Sequence, residues 1–191
     1  MSGSFFPMIA RMRYINRWGL MRNTDTENIQ EHSHMVAVLS HALAVIQNRY
    51  FGPQIDPGQA AVAALYHDAS EILTGDMPTP IKYYNPAIRQ AYKAVEQVAE
   101  EKLLDMLPPE LRPAYEDALH SADPEVEELV KAADKLSAHI KCIEELKAGN
   151  NEFRQAAAQT AAAMDAMRLP ELDYFREHFL PSYSLTLDEL E

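Results

Sequence analysis

The sequence contains little cysteine and little positive charge. One cysteine, Cys142, excludes an intramolecular disulfide and fits a reducing cytoplasm, where we expect the protein to reside. Seventeen Lys and Arg against 29 Asp and Glu give a net charge of −12. This balance argues against a nucleic-acid polymer as the partner, because such binding uses basic patches that neutralise phosphates. A small phosphorylated ligand needs only a local pocket of positive charge and stays compatible with the sequence.

Long hydrophobic runs are also missing. No stretch approaches the roughly 18 consecutive apolar residues of a membrane helix, so we expect no membrane span. The N-terminal apolar stretch is interrupted by Arg11, Arg13 and Arg17, which argues against a signal peptide. With 191 residues and 47% hydrophobic content, the chain is long enough for a substantial core. We therefore expect one domain over residues 1–191.

Strand alternation and internal repeats are absent, whereas apolar residues recur at helical spacing. This periodicity predicts an all-α, single-domain bundle of about seven or eight helices. The predicted helices cover residues 4–15, 27–49, 60–73, 86–106, 110–120, 124–147, 151–168 and 170–180.

The most informative stretch, 64–80, reads ALYHDASEILTGDMPTP. Residues three and four apart share a helix face, so a helix here would bring Glu71 over both His67 and Asp68. Buried His, Asp and Glu side chains need partners for their charge. The stretch therefore indicates either a metal site or a polar network satisfied by neighbouring helices. The rigid turn over residues 76–80 is suited to holding a substrate next to it.

Two further polar candidates lie on other predicted helices. His32 stands one turn before Val36 on an apolar face, and Asp134 stands at the edge of the apolar stripe of helix 124–147. Each is either a hydrogen-bonded core residue or a ligand. Together with His67 and Asp68 they would offer two imidazoles and two carboxylates, a set that suits Mn, Fe, Co or Ni with positions left open for water or substrate.

Arg17 and Trp18 form the last notable pair. Trp18 either anchors a loop to the core or provides a flat wall for a sugar or base, and Arg17 offers a planar fork to a phosphate.

The order H…HD…D resembles the HD-domain metal-dependent phosphohydrolases. The flanking residues resemble the bacterial 5'-deoxynucleotidase branch more specifically. The segments that carry the resemblance are Asn16-Arg17-Trp18, Glu31-His32-Ser33, Tyr66-His67-Asp68-Ala69-Ser70-Glu71 and Thr74-Gly75-Asp76-Met77-Pro78-Thr79-Pro80.

This resemblance implies hydrolysis of deoxyribonucleoside 5'-monophosphates to deoxynucleoside and phosphate. It implies one divalent transition metal, such as Co or Mn, and a homodimer. The implied metal ligands are His32, His67, Asp68 and Asp134. A second metal is not expected, because His120 is the one histidine between the HD pair and Asp134 and lies in an acidic segment.

The resemblance also assigns roles around the substrate. Arg17 orients the phosphate, Trp18 packs against the sugar, and Glu71 transfers a proton or positions water. The residues that contact the nucleoside are Asp76, Met77, Pro78 and Thr79, while His32, Asp68 and Asp134 also face the substrate.

Two questions stay open at the sequence level. His34 stands where an apolar residue is expected, so either His32 or His34 could be the ligand. The alternative functions are hydrolysis of another nucleotide (a deoxynucleoside triphosphate, a cyclic nucleotide or a guanosine polyphosphate) and a non-catalytic nucleotide- or metal-binding protein. A triphosphate would ask for more cations than Arg17, Arg22 and Lys82 supply.

Overall fold

The computed structural model describes residues 3–52, 54–82, 84–120 and 123–190, and within these ranges the secondary structure is helical apart from one isolated β-bridge between Asn16 and Asn28. The α-helices are α1 (Phe5–Ile9), α2 (Ile29–Tyr50), α3 (Pro57–Tyr66), α4 (Glu71–Thr74), α5 (Thr79–Lys82), α6 (Pro86–Leu104), α7 (Arg112–Leu119), α8 (Pro124–Lys147), α9 (Arg154–Met167) and α10 (Pro170–His178). Seven of them have eight or more residues, so the all-α prediction is confirmed. In these ranges no helix combines the length and the apolar character needed to cross a membrane.

Helices α2, α3 and α8 form the centre of the bundle, and α9 and α10 pack against it. The core between them is built from fully buried aliphatic side chains such as Val36, Leu43 and Leu136. Burial of each such side chain is worth about 1.5–3 kcal/mol. Helices α2 and α8 carry His32 and Asp134, and the turn directly after α3 carries His67 and Asp68, so this packing fixes the relative positions of the predicted metal ligands.

A smaller cluster lies at the end of α3. Phe5 shares one buried cluster with Ala69, Leu103 and Leu104, and its ring lies 4.9 Å from that of Tyr115. Since Ala69 follows Asp68 directly, this cluster packs α1, α6 and α7 against the turn that carries the His-Asp pair.

The predicted continuous helix over residues 60–73 is wrong, because α3 ends at Tyr66 and the chain makes tight turns before α4 begins at Glu71. A continuous helix would bond the Ala64 carbonyl to the N–H of Asp68. Here His67 Nδ1 lies 2.7 Å from that carbonyl oxygen instead. Glu71 therefore does not share a helix face with His67 and Asp68.

The loop between Trp18 and α2 is held by a buried carboxylate on α8. Glu145 is 1% exposed and accepts hydrogen bonds from the backbone N–H groups of Thr24 (2.9 Å) and Asp25 (3.2 Å). Asn150 Nδ2 (2.8 Å) and the buried Lys141 Nζ (2.6 Å) also donate to it. Burial acts to raise the pKa of Glu145, but these partners outweigh it and hold the pKa well below its ordinary value.

We expect Glu145→Gln to destabilise the fold by about 3 kcal/mol, because it leaves Lys141 buried without its counter-charge. Urea unfolding at pH 7 measures this, with the exposed neighbour substitution Glu144→Gln as the matched control. Because the folded pKa of Glu145 is depressed, its contribution is complete above roughly pH 5 and is lost as the pH falls through the folded pKa. Equal stability of both variants at pH 7 would contradict the role of this carboxylate.

Candidate metal centre

His67 occupies the turn after α3 with one ring nitrogen committed and the other unpaired. Its Nδ1 lies 2.7 Å from the carbonyl oxygen of Ala64, so Nδ1 donates, and in the neutral ring Nε2 carries the lone pair. Among the described residues, the buried Nε2 has no hydrogen-bond partner, although Asp68 Oδ2 lies 3.2 Å away. A buried imidazole nitrogen in this state is suited to bind a metal ion.

His32 reaches the same point from α2, where its side chain is fully buried. Its Nε2 lies 3.7 Å from Asp68 Oδ2 and 3.1 Å from Asp134 Oδ1. Its Nδ1 lies 3.2 Å from Ser137 Oγ, and in the tautomer with the proton on Nδ1 a cation on Nε2 would replace the hydrogen bond to Asp134. The side chain of His34 is exposed, so the geometry favours His32 as the ligand.

His32, His67 and Asp68 therefore form one group, each offering a ligand atom within 4.8 Å of the others. Asp134 stands beside this group on α8, with Oδ1 next to His32 and Oδ2 2.8 Å from Lys135 Nζ. Two imidazole nitrogens and neighbouring carboxylate oxygens are a donor set for a divalent transition metal. The residues present fit such an ion.

The two aspartates remain ionised despite their burial. Burial acts to raise the pKa of Asp68, but His67, His32 and Arg17 outweigh it and lower the pKa well below its ordinary value. The pKa of Asp134 is lowered in the same way, by the hydrogen bond with His32 and by the charges of Lys135 and Arg17. Both carboxylates are thus in the charged form that metal binding requires.

Arg17 and Trp18 lie at the edge of the group. Arg17 Nη1 lies 3.3 Å from Asp68 Oδ2, which places the guanidinium beside the candidate metal ligands. The Trp18 ring packs 5.2 Å from the ring of Phe153, as the loop-anchoring interpretation requires. Trp18 has φ +58°, a left-handed conformation that is uncommon for a bulky residue. Such strained backbone is concentrated at functional sites.

Glu27 also contacts this site, although the sequence did not predict it. Its Oε2 accepts hydrogen bonds from Arg17 Nε (3.1 Å) and Trp18 Nε1 (3.0 Å). The sequence carries no signal for these contacts, because Glu27 lies in a polar stretch ten residues from Arg17 and no helical spacing relates them.

Glu71 is the first residue of α4 and is buried, with an Oε2 that has no hydrogen-bond partner in the described ranges. Burial, and then the charges of Asp68 and Asp76, raise its pKa to about 9. The metal-free protein therefore holds a protonated carboxyl group close to the aspartates.

The segment after α4, residues 75–78, lies on the same side of the His32, His67 and Asp68 group as Arg17 and Trp18. Burial raises the pKa of Asp76, against the opposing charge of Arg17 and a hydrogen bond from the backbone N–H of Trp18. Met77 and Pro78 are half-buried in this segment, and the side chain of Thr79 lies outside the described part.

The ammonium group of Lys82 does not face His32, His67 and Asp68. It pairs with Glu96 at 2.8 Å and lies 4.9 Å from the centre of the Tyr92 ring. Of Arg17, Arg22 and Lys82, Arg17 is therefore the cation whose charge lies nearest to the candidate ligands.

Comparison with known proteins agrees with this arrangement. The family described as 5'-deoxynucleotidase YfbR-like matches residues 4–183. The 5'-deoxynucleotidase YfbR of Escherichia coli (strain K12 / DH10B) is 52% identical over 188 residues, which cover 97% of this chain and 94% of that protein.

Two solved structures have the same fold. An HD-domain phosphohydrolase from Listeria innocua matches with TM-score 0.81 and 21% identity over 94% of this chain and 88% of that one. The cyanophage S-2L HD phosphohydrolase, bound to dA and one catalytic Zn²⁺ ion, matches with TM-score 0.67 and 23% identity over 95% and 99%. At these identities the structures show the fold alone. The family match and the 52% identical relative, which both span nearly the whole chain, show that this chain belongs to the YfbR-like 5'-deoxynucleotidase family.

Proposed function

We propose that this chain hydrolyses deoxyribonucleoside 5'-monophosphates to the deoxynucleoside and inorganic phosphate. The observation that carries the proposal is the guanidinium of Arg17 next to Asp68 within the His32, His67 and Asp68 group. A phosphate at this edge would meet a metal ion and a planar cation together, as phosphoryl chemistry requires. The name of the 52% identical relative, a 5'-deoxynucleotidase, supports the same substrate class.

The metal ligands in this proposal are His32, His67, Asp68 and Asp134. One divalent ion, such as Co or Mn, would neutralise phosphoryl oxygen charge and lower the pKa of water from 15.7 toward roughly 7. A single ion is supported by the one group of three ligands within the described residues and by the one catalytic Zn²⁺ of the phage relative.

The remaining residues act on the substrate directly. Arg17 donates to the non-bridging phosphate oxygens and keeps the phosphorus accessible to water. Trp18 packs against the sugar and occupies the space that a 2'-hydroxyl would need. Asp76, together with Met77, Pro78 and Thr79, contacts the nucleoside, and His32, Asp68 and Asp134 line the phosphate end.

In this proposal Glu71 transfers the proton of the attacking water. Phosphate monoester hydrolysis is among the slowest uncatalysed reactions, so both water activation and charge stabilisation are needed. A carboxyl beside the candidate ligands could position the attacking water, and accept its proton once a bound cation lowers the carboxyl pKa. Glu71 is buried three residues after Asp68, and its Oε2 has no hydrogen-bond partner in the described ranges, which supports this assignment.

We also infer a single domain over residues 1–191, a cytoplasmic location and a homodimer. The C-terminal segment supports the dimer with exposed apolar side chains at Leu187 and Leu190, which would suit a subunit interface.

Phosphate release from paired dAMP and AMP tests the proposed reaction. Protein stripped by a chelator and re-loaded in turn with Co, Mn, Mg or Zn should release phosphate from dAMP with a transition metal, and only weakly from AMP. Chelated protein without added metal is the control. Equal release from both substrates would refute the sugar selectivity, and no release with any metal would refute the phosphatase assignment.

Glu71→Gln should lower kcat for dAMP by about a hundredfold or more, because the variant cannot move a proton. Since the metal-free protein holds Glu71 protonated, the neutral amide should be accepted with little loss of stability. Metal content and the urea midpoint serve as controls. Unchanged phosphate release in a correctly loaded variant would remove Glu71 from the mechanism.

Trp18→Ala should lower the ratio of kcat/KM for dAMP over AMP by about tenfold, because specificity against the 2'-hydroxyl depends on a steric clash. Trp18→Phe keeps an aromatic ring but lacks the indole N–H that bonds Glu27 Oε2, so its ratio should fall between those of the wild type and Trp18→Ala. A ratio that is the same in wild type and Trp18→Ala would show that another residue excludes the ribose.

A further inference from the structure

One carboxylate links three residues of the candidate site. Glu27 Oε2 accepts hydrogen bonds from Arg17 Nε at 3.1 Å and from Trp18 Nε1 at 3.0 Å. Its other oxygen, Oε1, lies 3.9 Å from His32 Nδ1. The side chains of Arg17 and Glu27 are 13% and 16% exposed, so water screens this ion pair only partly.

The backbone brings Glu27 to this position independently of its carboxylate. Arg17 N–H donates to the Glu27 carbonyl at 2.9 Å, and Ile29 N–H donates to the Ile15 carbonyl at 2.9 Å. Asn16 and Asn28 form the antiparallel bridge between these two bonds. A substitution at Glu27 therefore removes the carboxylate and leaves the backbone pairing in place, which separates its positioning effect from folding.

The contact with Arg17 determines which edge of the guanidinium faces the site. The guanidinium is planar, so an acceptor on Nε fixes the plane and leaves the Nη groups for other partners. Nη1 indeed lies 3.3 Å from Asp68 Oδ2. The Nη edge is thus presented to the point where the phosphate would bind.

The contact with Trp18 holds a side chain whose backbone is strained. At φ +58°, Trp18 is kept in place by its indole N–H bond to Glu27 and by the 2.8 Å bond from Met21 N–H to its carbonyl. Without Glu27, the indole loses its one side-chain acceptor among the described contacts, and the ring is free to rotate about its side-chain bonds.

We propose that Glu27 is the positioning residue that sets Arg17 and Trp18 in a common arrangement, and so couples phosphate binding to selection against the 2'-hydroxyl. This inference rests on the proposed function for its kinetic consequences. Its structural part, the orientation of Trp18, does not depend on activity.

Tryptophan fluorescence of the metal-free protein tests the structural part, because Trp18 is the only tryptophan. In Glu27→Ala we expect a red-shifted emission and stronger quenching by acrylamide. Glu27→Gln retains an oxygen acceptor for the indole N–H and should stay close to wild type. Glu152→Gln is the matched control, since it removes an exposed carboxylate next to Phe153, the aromatic partner of Trp18.

Steady-state kinetics of the metal-loaded proteins with dAMP and AMP tests the coupling. Glu27→Ala should raise KM for dAMP about tenfold, because Arg17 loses one charge-assisted hydrogen bond. It should also lower the dAMP over AMP ratio of kcat/KM about tenfold, because Trp18 loses one as well. Glu27→Gln should raise KM, because Arg17 loses its charged acceptor, yet retain the ratio. Glu152→Gln should change neither.

Unchanged emission together with equal loss on dAMP and AMP in Glu27→Ala would overturn the proposal and leave Glu27 a merely structural residue. If Glu27→Ala does not fold, an unchanged KM in the isosteric Glu27→Gln overturns it. If the wild type releases no phosphate from dAMP, the proposed function fails instead, and the fluorescence comparison still decides whether Glu27 orients Trp18.

Discussion

The site depends on the hydrogen bond between His67 Nδ1 and the carbonyl of Ala64. In a continuing helix the N–H of Asp68 would bond this carbonyl, whereas here α3 ends at Tyr66 and the chain turns. The bond sets a proton on Nδ1, so that in the neutral ring Nε2 is a buried lone pair facing Asp68. This interaction therefore orients the candidate ligand at the point where α3 ends.

The other ligands come from helices whose positions the core determines. His32 on α2 and Asp134 on α8 meet because these helices pack along each other through fully buried aliphatic side chains. The loop with Arg17 and Trp18 packs on Phe153 and is also held by two carboxylates. These are the buried Glu145 at residues 24 and 25 and the partly buried Glu27 at the Arg-Trp pair.

Much of this arrangement could be predicted from the sequence, for identifiable physical reasons. Helical periodicity located the long helices, and α8 begins at Pro124 and ends at Lys147 as predicted. The inward position of His32 also followed from its spacing to Val36. The break at Tyr66 could not be predicted, because Ala and Leu favour a helix there and no Gly or Pro between residues 60 and 73 marks its end. Contacts of Glu27 arise from backbone pairing across a loop, which leaves no periodic signal.

The charges around the ligands explain how an acidic protein could act on a phosphate. With the histidine rings neutral, as metal binding requires, Asp68, Asp134 and Glu27 bring three negative charges close together, and Arg17 and Lys135 supply two positive ones. In that state the region would repel a phosphate dianion. A bound divalent cation would reverse the balance, and Arg17 would then add a directional contact. The net charge of −12 is therefore compatible with a phosphate substrate, because the favourable potential is local and depends on the metal.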